Sequence, residues 1–155
     1  MARLGLGMPL RGVGAGGKFV FPESTAEIPD TLNLLIDYEG GPTIQLVSSM
    51  ANDTRIQYLL RGHKATLEFT ASGFSITPQA MFKEGAKTVE YQRQGAESID
   101  LHHQNLHDAI RTGAAIKCDA ELGYKAVVAV QLGSLSYRRH KYMAWDKAKE
   151  KIVNA

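Results

Sequence analysis

The chain has 155 residues and a mass of 17.0 kDa, the size of one domain, because single cores usually contain about 100–200 residues. Hydrophobic residues make up 44% and charged residues 22% of the sequence, a composition that excludes a disordered chain. The net charge is only +2, which excludes a dedicated nucleic-acid-binding protein, since such proteins neutralise many phosphates.

Cysteine content and hydropathy exclude further classes of protein. Cys118 is the only cysteine, so the chain cannot form an internal disulfide framework. No apolar stretch approaches the roughly 20 residues that a membrane helix needs, and the first residues lack the apolar core of a secretory signal. We therefore expect one cytoplasmic domain over residues 1–155, with neither a membrane nor a nucleic acid as partner.

The first half of the chain alternates polar and apolar residues, a pattern typical of strands that bury one face. The alternation occurs in residues 19–21, 32–38, 44–46, 56–60, 67–69 and 74–76. Hairpin-sized gaps at 39–42, 61–64 and 71–73 separate these runs, and short gaps join antiparallel neighbours. The pattern predicts a meandering antiparallel sheet with one apolar face.

The second half changes to helical spacing. Ser98 can cap a helix that ends at Gly113, with inner positions at Ile99, His103, Leu106 and Ile110. A second helix is expected from Asp119 to about Tyr137, and residues 126–130 are apolar on nearly all sides. Such a helix should be covered on more than one side. Residues 142–146 are expected to form an edge strand. The predicted class is α+β, an open, mainly antiparallel sheet with helices packed on one face.

Residues 12–17 match the dinucleotide fingerprint G-x-G-x-x-G, and Asp37 lies twenty residues after Gly17. The fingerprint binds pyrophosphate only between a strand and a helix N-terminus. Here Pro22 and Pro29 leave no room for the crossover helix before Asp37. We therefore predict a flexible glycine loop that leads into a strand, and no cofactor-binding residue.

The histidines do not form a recognisable metal motif. His103 and His107 share one helix face beside Asp108, but Gln104 stands where the zinc-protease motif requires glutamate. A hydrogen-bonded structural histidine is the commoner outcome at His103, so no metal site is predicted. Residues 138–142 are basic and fit a solvated helix end. No triad-like arrangement is present, and no catalytic residue is predicted.

A polar face of the predicted sheet is the most informative surface. It consists of Asn33, Asp37, Gln45, Ser49, Arg55, Gln57 and Arg61. Three roles remain open for this face: it could be solvated, pair with another subunit, or line a site for a polar substrate.

Several segments together resemble a known enzyme family. They are residues 16–21 (GGKFVF), 29–32 (PDTL), 38–41 (YEGG), 62–67 (GHKATL), 102–111 (HHQNLHDAIR), 136–138 (SYR) and 145–146 (WD). In order and spacing they are similar to the C-terminal domain of the Gfo/Idh/MocA oxidoreductases. Many relatives have phenylalanine at the position of Leu106, leucine at that of His107 and histidine at that of Tyr124.

The resemblance implies an open sheet attached to an N-terminal Rossmann domain that binds NAD or NADP. That domain and the family's catalytic groups would precede Met1, so this chain would be part of a larger enzyme acting on a sugar, polyol or related hydroxylated compound. His102, Asn105 and Tyr124 are the candidates for substrate-pocket residues; capping or packing is the commoner role of such groups. A homo-oligomer through the sheet is also expected. The alternative is a stand-alone, non-catalytic α+β module for ligand binding or assembly.

Overall fold

A computed structural model describes residues 5–95 and 98–155 of the chain. In chain order the strands and helices are β1 (Pro9–Gly17), β2 (Thr31–Tyr38), β3 (Thr43–Ser49), β4 (Tyr58–Arg61), β5 (Ala65–Thr70), β6 (Gly73–Pro78), β7 (Val89–Gln92), α1 (Ile99–Thr112), α2 (Ala120–Arg139), β8 (Met143–Asp146) and β9 (Lys151–Asn154). A short 3-10 helix, Ala80–Phe82, precedes β7.

The chain forms two compact units. The first contains the residues up to Asp53 together with Ile116–Ala155, and the second is Thr54–Ala115. Each unit has its own antiparallel sheet, in the orders β3-β2-β1-β8-β9 and β4-β5-β6-β7. The α+β class is therefore confirmed, with open antiparallel strands that are divided between two sheets where the sequence predicted one.

The glycine-rich segment is the central strand of the first sheet. Residues 12–17 belong to β1, which pairs with β2 along its length and with β8 at Arg11 and Gly12. The predicted flexible loop is thus wrong. Glycines carry no side chains that could show an alternating pattern, so the sequence gives no sign of this strand.

Helix α2 lies against this glycine strand. A Cβ atom added to Gly14 would lie 2.2 Å from the carbonyl oxygen of Gly133, and one added to Gly133 would lie 2.7 Å from a methyl group of Leu34. The N–H of Gly14 also donates to the buried hydroxyl of Ser136, 3.1 Å away. Only residues without side chains allow the helix to come this close to the strand.

The core of the first unit lies between α2 and the sheet. Its buried residues are Leu34, Ile36, Tyr38, Val128, Ala129, Leu132 and Met143. The three β2 residues alternate along the strand, as the period-two pattern predicted. The predicted edge strand near the C-terminus is β8, which instead lies inside the sheet, between β1 and β9.

The ends of α2 follow the sequence prediction. The Asp119 carboxylate accepts a hydrogen bond of 2.8 Å from the Leu122 N–H, which caps the first turn. The predicted burial on more than one side is not observed. Val128 and Ala129 are buried, whereas Val127 and Val130 are 58% and 43% exposed.

Residues 18–30 form a loop held by Asp30. The backbone N–H groups of Phe19, Val20 and Phe21 all donate to its carboxylate, at 2.8–3.1 Å. The strand predicted over residues 19–21 is therefore wrong, because these hydrogen bonds turn the backbone around one buried side chain. The Phe21 N–H bond contributes most to holding the pKa of Asp30 below its ordinary value.

The second unit confirms the predicted β5–β6 hairpin and both ends of α1. Ser98 caps the helix by accepting from the Asp100 N–H, and Gly113 ends it with a left-handed φ of 71°. The expected inner positions are nevertheless exposed, Ile99 and Ile110 by more than two-thirds. Strand β7 was not predicted, because its two apolar residues, Val89 and Tyr91, stand within a mainly polar stretch.

Replacing Gly14 with alanine is expected to lower the free energy of unfolding by about 1–3 kcal/mol, the usual cost of overpacking. The clash is with main-chain atoms of α2, which cannot rotate away. Urea unfolding measures the change. The control is Gly123→Ala on α2, where no atom lies within 4 Å of the new Cβ. This variant should be unchanged or more stable by up to about 1 kcal/mol. Equal stability of Gly14→Ala and the wild type would refute the packing role.

The lowered pKa of Asp30 predicts a pH-dependent contribution to stability. The ionised carboxylate stabilises the fold above its unfolded-state pKa of about 4, and this contribution disappears as pH falls through the lower folded-state pKa. Asp30→Asn should therefore be clearly less stable than the wild type at neutral pH, and the difference should shrink in acid. Urea unfolding across this pH range tests the expectation, and a difference independent of pH would contradict it.

Candidate functional site

The face of the first sheet that points away from α2 is solvent-exposed, and we call it the open face. Asn33, Leu35 and Asp37 alternate with the buried residues of β2 and so share this face. Their cross-strand neighbours Val13 and Val47 add apolar surface to its centre. Leu35 and Val47 are 45% and 41% exposed.

A polar cluster borders the open face. The Arg11 Nε donates to the Asp37 carboxylate at 2.8 Å, and the Thr43 hydroxyl donates to its other oxygen at 2.7 Å. The hydrogen bond from Arg11, followed by that from Thr43, holds the pKa of Asp37 below its ordinary range. The acidic residue of the apparent fingerprint is thus an ion-pair partner within a sheet.

The predicted polar face is distributed over both units. Asn33, Asp37, Gln45 and Ser49 share the open face through the register of β2 and β3. Arg55, Gln57 and Arg61 belong to the second unit, where the Arg55 guanidinium donates to the Phe69 carbonyl oxygen. The open face also carries apolar residues, which the prediction of a polar face omitted.

The second sheet has a strongly apolar face, which we call the apolar face. It is formed by Tyr58, Leu60, Leu67, Phe69, Phe74, Ile76, Val89 and Tyr91, which the strand register places on one side. Five of them are exposed by more than a third: Tyr58, Leu60, Phe69, Val89 and Tyr91. Contiguous apolar surface of this kind typically marks an interaction site.

Two of the three predicted pocket residues lie on α1. His102 is exposed, with its ring centroid 6.5 Å from that of His103. The Asn105 side-chain amide donates to the Ala115 carbonyl oxygen at 3.0 Å and ties down the segment after the helix. This contact is of the capping kind, and a substrate role for either residue stays a prediction.

Tyr124, the third predicted residue, lies on α2 in the first unit. Its ring packs edge-on against Trp145 of β8, with a centroid distance of 5.9 Å. The side chain is 47% exposed. The structure shows a packing contact for Tyr124, and contact of this residue with a substrate stays a prediction.

We searched the described residues for metal ligands and for space beside the glycine strand. Within residues 5–95 and 98–155, no group of three or more His, Cys, Asp or Glu side chains could hold a metal ion. The glycine strand does not fit a dinucleotide, because main-chain and side-chain atoms of α2 occupy the space beside Gly12 and Gly14. No helix in the part of the chain that the structure describes is long and apolar enough to span a bilayer.

Comparison with known proteins identifies the fold. No protein-family model matches the chain, and no curated protein matches it. A solved structure of a proposed NADPH-dependent oxidoreductase from Desulfitobacterium hafniense DCB-2 superimposes with a TM-score of 0.65 at 15% identity, over 90% of this chain and 43% of that one. YvaA from Bacillus subtilis, a proposed oxidoreductase, gives 0.65 at 14% identity, over 92% and 48%.

A third similar structure is an NAD-binding protein from Listeria innocua, with a TM-score of 0.60 at 15% identity over 88% of this chain and 41% of that one. At such identities the likeness extends to the fold alone. The chain spans less than half the length of all three structures.

The contact with Trp145 predicts how substitutions of Tyr124 behave. Tyr124→Ala should lower the free energy of unfolding by about 0.5–1.5 kcal/mol, the usual value of an aromatic pair, and should shift the fluorescence of Trp145, the only tryptophan. Tyr124→Phe keeps the ring and should retain stability and emission. A loss of stability in Tyr124→Phe equal to that in Tyr124→Ala would show that the hydroxyl, rather than the ring, is what the fold needs.

Proposed function

We propose that this chain is the C-terminal, substrate- and assembly-forming domain of an NAD(P)-dependent oxidoreductase of the Gfo/Idh/MocA type. The observation that carries the proposal is the superposition of about nine-tenths of the chain on part of each of three proteins named as oxidoreductases or NAD-binding. The sequence segments described above, which resemble this family in their order and spacing, support the same assignment. The proposed compartment is the cytoplasm.

The dinucleotide of such an enzyme would be bound outside this chain. The central glycine strand is closed off by α2, and the acidic Asp37 is engaged by Arg11 and Thr43. In the proposal a separate Rossmann domain binds NAD or NADP, and the present chain supplies surface for a substrate and for assembly. No residue of this chain is assigned to hydride or proton transfer.

The proposed substrate is a small hydroxylated molecule such as a sugar or polyol. His102, Asn105 and Tyr124 carry side-chain groups that can hydrogen-bond hydroxyls, and helices hold all three. The part that this domain would play is orientation of the substrate by fixed polar groups rather than bond chemistry.

The most direct test of the proposal combines the gene with an assay. The coding sequence upstream of Met1 should contain a strand–glycine–helix unit, and the complete natural product should oxidise or reduce polyols or sugars with a change in nicotinamide absorbance. A stop codon directly before Met1 would overturn the oxidoreductase assignment and favour the stand-alone ligand-binding or assembly module. A complete product that binds neither NAD nor NADP would overturn it as well.

We propose that the chain forms a homodimer through the apolar face. Eight apolar side chains on one side of a small sheet leave a surface that water solvates poorly, and a second sheet packed on it would remove this surface from water. Identical patches that pack on each other form a two-fold interface, the commonest arrangement in oligomers.

Phe69→Arg is therefore expected to convert the dimer to a monomer, because it places a charge within the apolar face. Thr77→Arg is the matched control: Thr77 pairs with Thr66 on the opposite side of the same sheet and is exposed. This variant should remain dimeric. Sedimentation velocity over a range of concentrations distinguishes the two species, and a wild-type chain that stays monomeric throughout would refute the interface.

A further inference from the structure

The second unit contains a cleft of about 570 Å³ between the β4–β5 hairpin and the short 3-10 helix. Its lining includes Leu59 and Arg61 from β4, His63 from the turn, Thr66 from β5 and Met81 from the 3-10 helix. Arg61 and Thr66 are direct cross-strand partners, so their side chains leave the sheet on the same side. This side is opposite the apolar face, and a dimer formed through the apolar face would leave the cleft accessible.

Several contacts fix the cleft walls. The Gln79 side-chain amide donates to the Thr66 hydroxyl oxygen at 3.0 Å, and the Gln79 backbone N–H donates to the Lys64 carbonyl oxygen at 2.8 Å. The His63 ring packs edge-on against Phe82, with centroids 5.1 Å apart. These contacts tie the β4–β5 hairpin to the 3-10 helix and to Gln79, which precedes it, so a ligand would meet a preformed site.

The charge of the lining has one sign. The Arg61 guanidinium has no ion-pair or hydrogen-bond partner among the residues that the structure describes. The lining contains no carboxylate, and Arg61 is its only lysine or arginine. Glu68 lies on the same side of the sheet, opposite Leu59, but forms no ion pair with Arg61 within the described residues.

Two polar groups of the lining, the Thr66 hydroxyl and the Arg61 guanidinium, have N–H or O–H groups that can donate to a ligand. The Thr66 hydroxyl accepts from Gln79, so its own hydrogen is available to a ligand. A guanidinium fork matches a carboxylate with two parallel hydrogen bonds. Leu59 and Met81 offer apolar surface beside these donors. A ligand complementary to the cleft therefore has a carboxylate at one end and an apolar body at the other.

We infer that this cleft is a binding site for a small organic carboxylate, held by Arg61 and Thr66 with its apolar body against Leu59 and Met81. The site lies wholly within the second unit and uses none of the residues proposed for the hydroxylated substrate. It is therefore a second site, independent of the oxidoreductase proposal.

The test is an amide NMR titration of the 155-residue chain with sodium hexanoate, and with 1-hexanol as the uncharged probe. Hexanoate should give saturable shifts of the Gly62, His63 and Thr66 amides, whereas hexanol should not saturate them. Arg61→Met should weaken hexanoate binding by at least about tenfold, the scale of a lost charged hydrogen bond. Arg111→Met removes an exposed guanidinium on α1, outside the cleft, and should bind like the wild type.

Three outcomes would overturn the inference: absence of saturation at the cleft amides, equal binding of hexanol, or unchanged binding by Arg61→Met. If Arg61→Met does not fold, Arg61→Lys keeps the charge but loses the fork and should still weaken binding measurably. Unaltered affinity in Arg61→Lys would then contradict recognition by a guanidinium fork. The amide spectrum of each variant without ligand verifies that its fold is intact.

Discussion

The contact between Gly14 of the central strand and Gly133 of α2 is the constraint on which the first unit depends. A side chain on Gly14 would meet the main chain of the helix, and one on Gly133 would meet Leu34. With both side chains absent, Leu132 and Ala129 reach the sheet and are fully buried beside Ile36 and Met143. The hydrogen bond from the Gly14 N–H to Ser136 then provides a partner for a backbone donor beyond the short pairing with β8.

This use of glycine decides between two interpretations of the same residues. A dinucleotide site needs glycines so that phosphate can approach the backbone, whereas here a helix approaches it instead. What the fold leaves for function is surface: an open face with a polar border in the first unit, and an apolar face and a cationic cleft in the second. These surfaces suit assembly and ligand positioning, which are the roles proposed for a domain that works with a separate cofactor domain.

Much of the fold follows from local patterns in the sequence. Strands β2, β3, β5 and β6 have clear alternation, and Ser98, Gly113 and Asp119 are side-chain or backbone signals that act within one helical turn. The errors arise where distant contacts decide the outcome. Residues 19–21 alternate like a strand but bind the Asp30 carboxylate, ten residues away for Val20. Strand β1 has no side-chain periodicity and is a strand through its pairing with β2.

The candidate sites were harder to predict for a related reason. The ion pair of Arg11 with Asp37 depends on the register of β1 and β2, which a strand without side-chain periodicity does not reveal. The predicted polar face omitted Leu35 and Val47, although alternation along each strand already places them among its polar residues. Val13 joins this face only through the pairing of β1 with β2. Arg61 was noted on that face, but its cleft is also lined by Gln79 and Met81, whose proximity to Arg61 the sequence pattern does not show.

The central claim is that the glycine strand serves packing and that nicotinamide dinucleotides bind outside this chain. Calorimetric titration of the purified 155-residue chain with NADH and NADPH tests it most directly. The account predicts no saturable heat with either dinucleotide. Saturable binding at micromolar affinity would contradict the claim if Gly14→Ala abolished it without unfolding the chain. That result would show that residues 12–17 bind a nucleotide.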